Sequence, residues 1–224
     1  MDYDNLAIIV AGGSGLRMGA PIPKQFLPLN GRPILMHTID AFLQVDSTRV
    51  ILVLPTSQTD YWHDLCLQHH YSPDISIAHG GSTRYESVKN GLTLWRGESL
   101  IAVHDGVRPL ISTDTIRRCF ADATTYGTSV PALPSVESVR LINIDGSNHA
   151  IDRRQVMMIQ TPQVFKADIL INAYNQPYTP LFTDDASVVE TAGTPIHLSE
   201  GQHGNIKITT PDDMQAAEAI LTNA

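Results

Sequence analysis

A chain of 224 residues, 42% hydrophobic and 6% aromatic, suits one α/β domain with an aliphatic core. Its net charge of −8 excludes the basic face that general nucleic-acid and membrane-surface binders need, and no apolar run approaches the roughly 18 residues of a membrane span. The acidic start Met1-Asp2-Tyr3-Asp4 runs straight into an apolar stretch, unlike a signal peptide; a cytoplasmic protein is expected, with Cys66 and Cys119 as free thiols in helices.

Residues 6–10 read as a first strand. A helix follows over 33–44, with Pro33 in its first turn. Then come a strand at 49–54, a helix at 57–70, a short strand at 75–78, a helix at 83–95, a strand at 100–104, a helix at 113–125 and a strand at 128–133. Near-continuous apolar strands between amphipathic helices predict an α/β fold: a mostly parallel, twisted sheet with helices on both faces. Ligands of such sheets bind beyond the carboxyl ends of the strands. After Pro134 the pattern changes. Residues 136–144 and 150–160 read as a hairpin around Asp145-Gly146. Glu137, Arg140, Asp152, Arg153 and Arg154 make it a charged hairpin with little core to cover. It is expected to protrude as an arm, onto a second subunit rather than into solvent. Arg153 and Arg154, as neighbours on a strand, would face opposite ways. Helices are expected at 166–175 and at 184–191, the latter capped by Thr183 or Asp184. Closing strands are expected at 195–198 and 205–209. The last helix spans 211–222, with Asp212 and Asp213 in its first turn, matching its dipole. No linker divides the chain, so a single domain over 1–224 is expected, with the arm inserted at about 134–156.

The segment Ala11-Gly-Gly-Ser-Gly-Leu-Arg-Met-Gly, directly after the first strand, suggests phosphate. Glycine lets a backbone approach a polyphosphate and aim its N–H groups at it. The Gly-Lys-Ser/Thr ending of a P-loop is absent. A dinucleotide fingerprint is also unmet, since Met18 stands where its third glycine belongs and Pro21, Pro23 and Pro28 forbid the helix that should follow. What remains is a long extended loop with Arg17 and Lys24 inside it, suited to a draped nucleoside triphosphate. His63, Cys66, His69 and His70 lie along one helix, but tetrahedral zinc sites usually draw ligands from two elements, and no second cluster accompanies them.

This loop, continuing into Pro23-Lys24-Gln25-Phe26, resembles the signature of the nucleotidyltransferase superfamily in its cytidylyltransferase branch. Further motifs narrow the resemblance: Gly80-Gly81-Ser82-Thr83-Arg84 with Ser87, His104-Asp105-Gly106-Val107-Arg108-Pro109, Thr161-Pro162-Gln163, Thr183-Asp184-Asp185-Ala186-Ser187 and Asn205-Ile206-Lys207-Ile208-Thr209. Each is weak alone. Together, in family order over 11–213, they resemble the 2-C-methyl-D-erythritol 4-phosphate cytidylyltransferases.

The resemblance implies a Rossmann-like nucleotidyltransferase fold and transfer of CMP from CTP to methylerythritol phosphate, with Mg²⁺ or another divalent cation. It assigns Arg17 and Lys24 to the triphosphate and the transition state. It places Ala11, Gly12, Gly13, Gly15, Gly81, Ser82, Ser87, Asp105, Gly106 and Lys207 at CTP. Ser82 stands where the family often has Asp. Asp105 would also hold the metal. Asp105, Arg108, Thr161 and Lys207 would meet the acceptor, Thr161 by offering its hydroxyl, joined by Ser138 and Arg153 from the arm of a second subunit in a homodimer. Arg84 reads equally as a structural ion-pair residue, and His104 as a packed strand-end residue rather than a catalyst. The nearest rival is a ribitol 5-phosphate cytidylyltransferase. A hexose-1-phosphate nucleotidyltransferase usually has a longer sugar-binding segment. A non-catalytic nucleotide-binding module would be expected to lose Arg17, Lys24 or Asp105, and all three are present.

Overall fold

A computed structural model describes residues 4–13 and 22–222. β1 (Asn5–Val10) is followed by a 3₁₀ turn at Lys24–Phe26 and a minimal ladder of β2 (Pro28–Leu29) with β3 (Arg32–Pro33). Next come α1 (Ile34–Leu43), β4 (Thr48–Leu54), α2 (Thr59–Gln68), β5 (Ile75–His79), α3 (Arg84–Leu92), β6 (Leu100–Asp105), α4 (Thr113–Tyr126) and β7 (Thr128–Pro134). The arm holds β8 (Val139–Ile142) and β9 (Asn148–Ile151), and the chain returns through β10 (Met157–Ile159) and β11 (Gln163–Lys166). Then follow α5 (Ala167–Ala173), α6 (Asp185–Thr191), β12 (Leu198–Glu200) and α7 (Pro211–Thr222).

β5, β4, β1 and β6 lie side by side and parallel, as the apolar runs predict. Alternation along β1 sorts the core. Ala7 and Ile9 face one apolar layer, with Phe42 of α1, Trp62 of α2 and Ile116 of α4. Leu6 and Ile8 face the other, with Val88 of α3, Leu170 of α5 and Val189 of α6. Both strand faces are therefore dry, which is why the strands read as continuous apolar runs. Each fully buried Ile or Leu contributes about 1.5–3 kcal/mol. Three helices, α3, α4 and α6, start where polar side chains take up free N–H groups: Thr83 accepts from Glu86, Ser112 from Thr115, and Asp184 forms a capping box with Ser187. α4 stops at Gly127, whose φ of +86° is left-handed.

The structure departs from expectation in four places. β11 was not expected, and it runs antiparallel between β6 and β7. Its four residues are too few to show a period, and tertiary pairing decides their conformation. Residues 205–209 form no strand, and the closing strand near 195–198 lies instead at Leu198–Glu200, parallel to β7. The second arm strand is broken by a 3₁₀ turn at Arg153–Gln155, so Arg153 and Arg154 sit on a turn and not on opposite strand faces. Finally, the arm is not only charged: Val136, Leu141, Ile142 and Ile144 are all exposed on it.

β10 and β11 both pair antiparallel with β7. Ile159 stands opposite Ala132 and Val164 opposite Ser129. Five residue steps on one strand thus face three on the other; Gln160 still donates to the Pro131 carbonyl, and the surplus is a bulge of Thr161 and Pro162. Bulges re-aim side chains; this one brings Thr161 to the end of β6.

Candidate functional site

At the carboxyl ends of β1, β5 and β6 a cleft of about 360 Å³ opens. Of the residues expected at nucleotide, Ala11, Gly12, Gly13, Lys24, Gly81, Ser82, Ser87, Asp105 and Lys207 line it. Gly15 and Arg17 lie outside the described residues, as do Met18 and Pro21. Lys24 is only 9% exposed, and its Cε lies 3.5 Å from where a Cβ on Gly13 would stand. The lysine stem therefore runs across bare glycine backbone. The adjacent Gln25 is fully buried and donates to the Ala11 carbonyl at 2.8 Å and to Gln58 at 2.7 Å, tying this turn to the end of β1.

The opposite wall is the turn between β5 and α3. A Cβ on Gly81 would stand 2.3 Å from Glu86 Cβ, so only glycine fits there. Ser87, expected to touch nucleotide, lines the cleft and also braces the turn: its hydroxyl accepts from Gly81 N–H at 3.1 Å and donates to the Thr83 carbonyl at 2.9 Å. Ser82 is exposed, and both its N–H and its hydroxyl donate to the Glu86 carboxylate. Gly106 is buried and packs against Ala11 and Leu35, where a side chain would push the ends of β1 and β6 apart.

Asp105 closes β6 and gathers three cations. Lys207 Nζ lies 2.9 Å from one carboxylate oxygen, Arg108 Nε 3.6 Å from the same oxygen, and Arg84 Nε 3.7 Å from the other. Burial alone would raise the Asp105 carboxyl. Arg84, Lys207 and then Arg108 outweigh it and hold the group well below the usual carboxylate range. Arg84 is itself anchored by fully buried Asp185 at 2.6 Å, which also accepts from the Tyr174 hydroxyl at 2.7 Å. Burial would lower the Arg84 guanidinium, but Asp185 and Asp105 more than compensate and keep it charged. The Thr183–Ser187 motif thus reaches the cleft through Asp185 and Arg84. The sequence leaves Arg84 open between ligand and ion pair and does not single out Asp185, whose burial and pairing with Arg84 arise only in the fold.

Lys207 is delivered by an irregular segment rather than a strand. Ile208 is buried with Leu29, Ile34 and Val107, and its N–H donates to the Val107 carbonyl at 2.9 Å, which turns Lys207 outward. Buried Asn205 pins the segment, donating to the Thr161 carbonyl at 2.7 Å and accepting from Arg108 Nη1 at 2.7 Å. Arg108 and Thr161 therefore stand behind Asp105. Burial pushes the neighbouring His104 imidazole down to about 4, so it is neutral at pH 7. Ser138 and Arg153 are exposed on the arm and do not line the cleft of their own chain.

Among the described residues Asp105 is the only carboxylate lining the cleft, and no group of three or more His, Cys, Asp or Glu side chains could hold a metal. A single carboxylate suits Mg²⁺, which binds through one or two carboxylates plus substrate phosphates and keeps several waters.

The model of the 2-C-methyl-D-erythritol 4-phosphate cytidylyltransferase family matches residues 6–223. The chain is 50% identical over 215 residues to the protein of that name from Bacteroides thetaiotaomicron, covering 96% of this chain and 98% of the relative. It is 48% identical to the one from Porphyromonas gingivalis, covering all of both. Among solved structures, the 4-diphosphocytidyl-2C-methyl-D-erythritol synthase of Anaerococcus prevotii superposes with a TM-score of 0.83 at 28% identity, covering 99% of this chain and all of that one.

Proposed function

The chain belongs to the 2-C-methyl-D-erythritol 4-phosphate cytidylyltransferase family, and we propose that it transfers CMP from CTP to methylerythritol phosphate in the cleft between Gly13 and Lys207. The observation that carries the assignment is the convergence of Lys24, Lys207 and Arg84 around a glycine-lined opening at the strand ends, with Arg108 behind Asp105. An acceptor phosphate oxygen attacks the α-phosphorus of CTP, the bond to the β-phosphate breaks, and pyrophosphate leaves. The nucleophile is already ionised near pH 7, because its second pKa is about 6. No general base is needed, and neutral, buried His104 is not one. The obstacles are repulsion between anions and charge growing on the attacked phosphate, which fixed cations relieve.

In this reading Lys24 and Arg17 hold the triphosphate, with N–H groups of Gly12, Gly13 and Gly15. The turn at Gly81 and Ser82, braced by Ser87, receives the base. Asp105 and Lys207 border CTP, with Gly106 packed behind them between Ala11 and Leu35, and Asp105, Arg108, Thr161 and Lys207 meet the acceptor. Asp105 would also hold Mg²⁺, which when bound neutralises charge on the triphosphate. The arm reaches a second copy of the chain and supplies Ser138 and Arg153 to its acceptor site. Exposed Leu141 (52%) and Ile142 (74%) support this, being costly to leave in water. A cytoplasmic setting agrees with two unpaired thiols, Cys66 and Cys119. Pyrophosphate release with Mg²⁺, crossing CTP and UTP against methylerythritol phosphate and ribitol 5-phosphate, tests the reaction. Release is expected only with CTP and methylerythritol phosphate. Release with ribitol 5-phosphate alone keeps the chemistry and overturns the substrate; none with any pair overturns the activity.

A further inference from the structure

The turn that follows β6 is held at both ends by one imidazole. His104 Nε2 lies 3.2 Å from the Arg108 carbonyl oxygen, and Nδ1 lies 3.0 Å from Thr161 Oγ1. A carbonyl oxygen only accepts, so Nε2 carries the proton. A neutral ring has one N–H, so Nδ1 accepts and the Thr161 hydroxyl donates to it. The same hydroxyl oxygen accepts from the Asp105 N–H at 3.1 Å. The ring is fully buried and packs on Phe42, with centroids 4.9 Å apart. Turning it over would set carbon atoms against both polar partners. None of its hydrogen-bonding partners is a carboxylate, so nothing bonded to it balances a cationic ring there.

One directed chain results: Asp105 N–H to Thr161 oxygen, Thr161 O–H to His104 Nδ1, His104 Nε2–H to Arg108 carbonyl. It begins and ends on the two residues of the turn that face the acceptor. We propose that His104 is a positioning residue for the acceptor half of the site: it commits the Thr161 hydroxyl proton to its own ring, so that Thr161 grips the Asp105 main chain and meets substrate only through its remaining lone pair. This reverses the sense of the contact expected from the sequence, in which Thr161 offers its hydroxyl to the acceptor. The inference rests on the cleft being the transferase site.

The test uses the full chain labelled with ¹⁵N-histidine, with long-range ¹H–¹⁵N correlations of the imidazole rings at pH 7. His104 is expected as the Nε2–H tautomer. In Thr161→Val its Nδ1 signal is expected to move as that of a nitrogen losing a hydrogen bond. In turnover, Thr161→Val is expected to lower kcat about 10- to 100-fold, the scale of a small misplacement, while KM for the acceptor changes less than about threefold. Thr161→Ser is expected to restore kcat to within about threefold of the parent. An Nδ1–H or doubly protonated ring overturns the proposal. So does a Thr161→Val enzyme whose acceptor KM rises tenfold or more at unchanged kcat, since that marks a contact that only binds the acceptor and does not position the Asp105 turn. The NMR readout needs no turnover, so failure of this bond pattern and failure of the proposed reaction appear in different measurements.

Discussion

Lys24 shows how much a single side chain depends on its setting. Its stem lies over Gly13 and it is 9% exposed, so its charge acts in a dry, fixed position. Preorganised charge of this kind acts on the transition state without reorganising. Lys24→Ala is expected to lower kcat by about 100- to 1,000-fold, or about 3–4 kcal/mol of barrier, measured as pyrophosphate release. Urea unfolding is expected to stay close to the parent, because Lys24 sits in a one-turn 3₁₀ segment and not in a packed helix. Asp105 is the counterpart: three cations hold it ionised, so it stands in the cleft as a fixed negative point among positive ones.

At the scale of elements, the buried pair Arg49–Glu98 pins the start of β4 to the turn before β6. Their side chains meet at 2.5 Å, Arg49 also donates to the Leu94 carbonyl at 2.8 Å, and Glu98 accepts from Arg96 N–H at 2.8 Å. Burial would raise the Glu98 carboxyl, but Arg49 and the Arg96 N–H prevail and lower it. A carboxyl depressed on folding stabilises above its unfolded value, and that contribution is lost as pH falls through the folded one. Glu98→Gln is therefore expected to cost about 3–5 kcal/mol at pH 7 by leaving Arg49 uncompensated. In urea unfolding, the gap from the parent should shrink below about pH 4, where the unfolded carboxyl protonates. β1, β4 and β6 were legible as near-continuous apolar runs, and α7 by the acids Asp212 and Asp213 in its first turn. β11 and the 205–209 segment were not, because short runs take their form from partners distant in sequence. The same divide runs through the site: Lys24, Asp105 and Lys207 stand out as charges beside glycines or strand ends, whereas Asp185 and the directed bonds of His104 exist only once the sheet is assembled.

For the whole molecule, shared sites make a sharp expectation. If Arg153 completes the acceptor site of a second copy, Lys24→Ala and Arg153→Ala chains are each nearly inactive alone. Mixed and allowed to exchange subunits, they should regain up to about a quarter of parent activity: half the two-fold symmetric dimers are mixed, with one intact site in two. No recovery, with exchange shown by mass, would place Arg153 in its own chain's site. The arm that makes this sharing conceivable leaves and re-enters the sheet at one spot, for Pro134 and Met157 are partners across the β7–β10 ladder. Topologically it is a closed excursion. Lengthening it costs the host only a loop-closure entropy that grows with the logarithm of its length, and no register in the central sheet has to shift. The reach of the arm can therefore drift over evolutionary time without disturbing the frame of the cleft, and it is the cheapest part of the molecule to change.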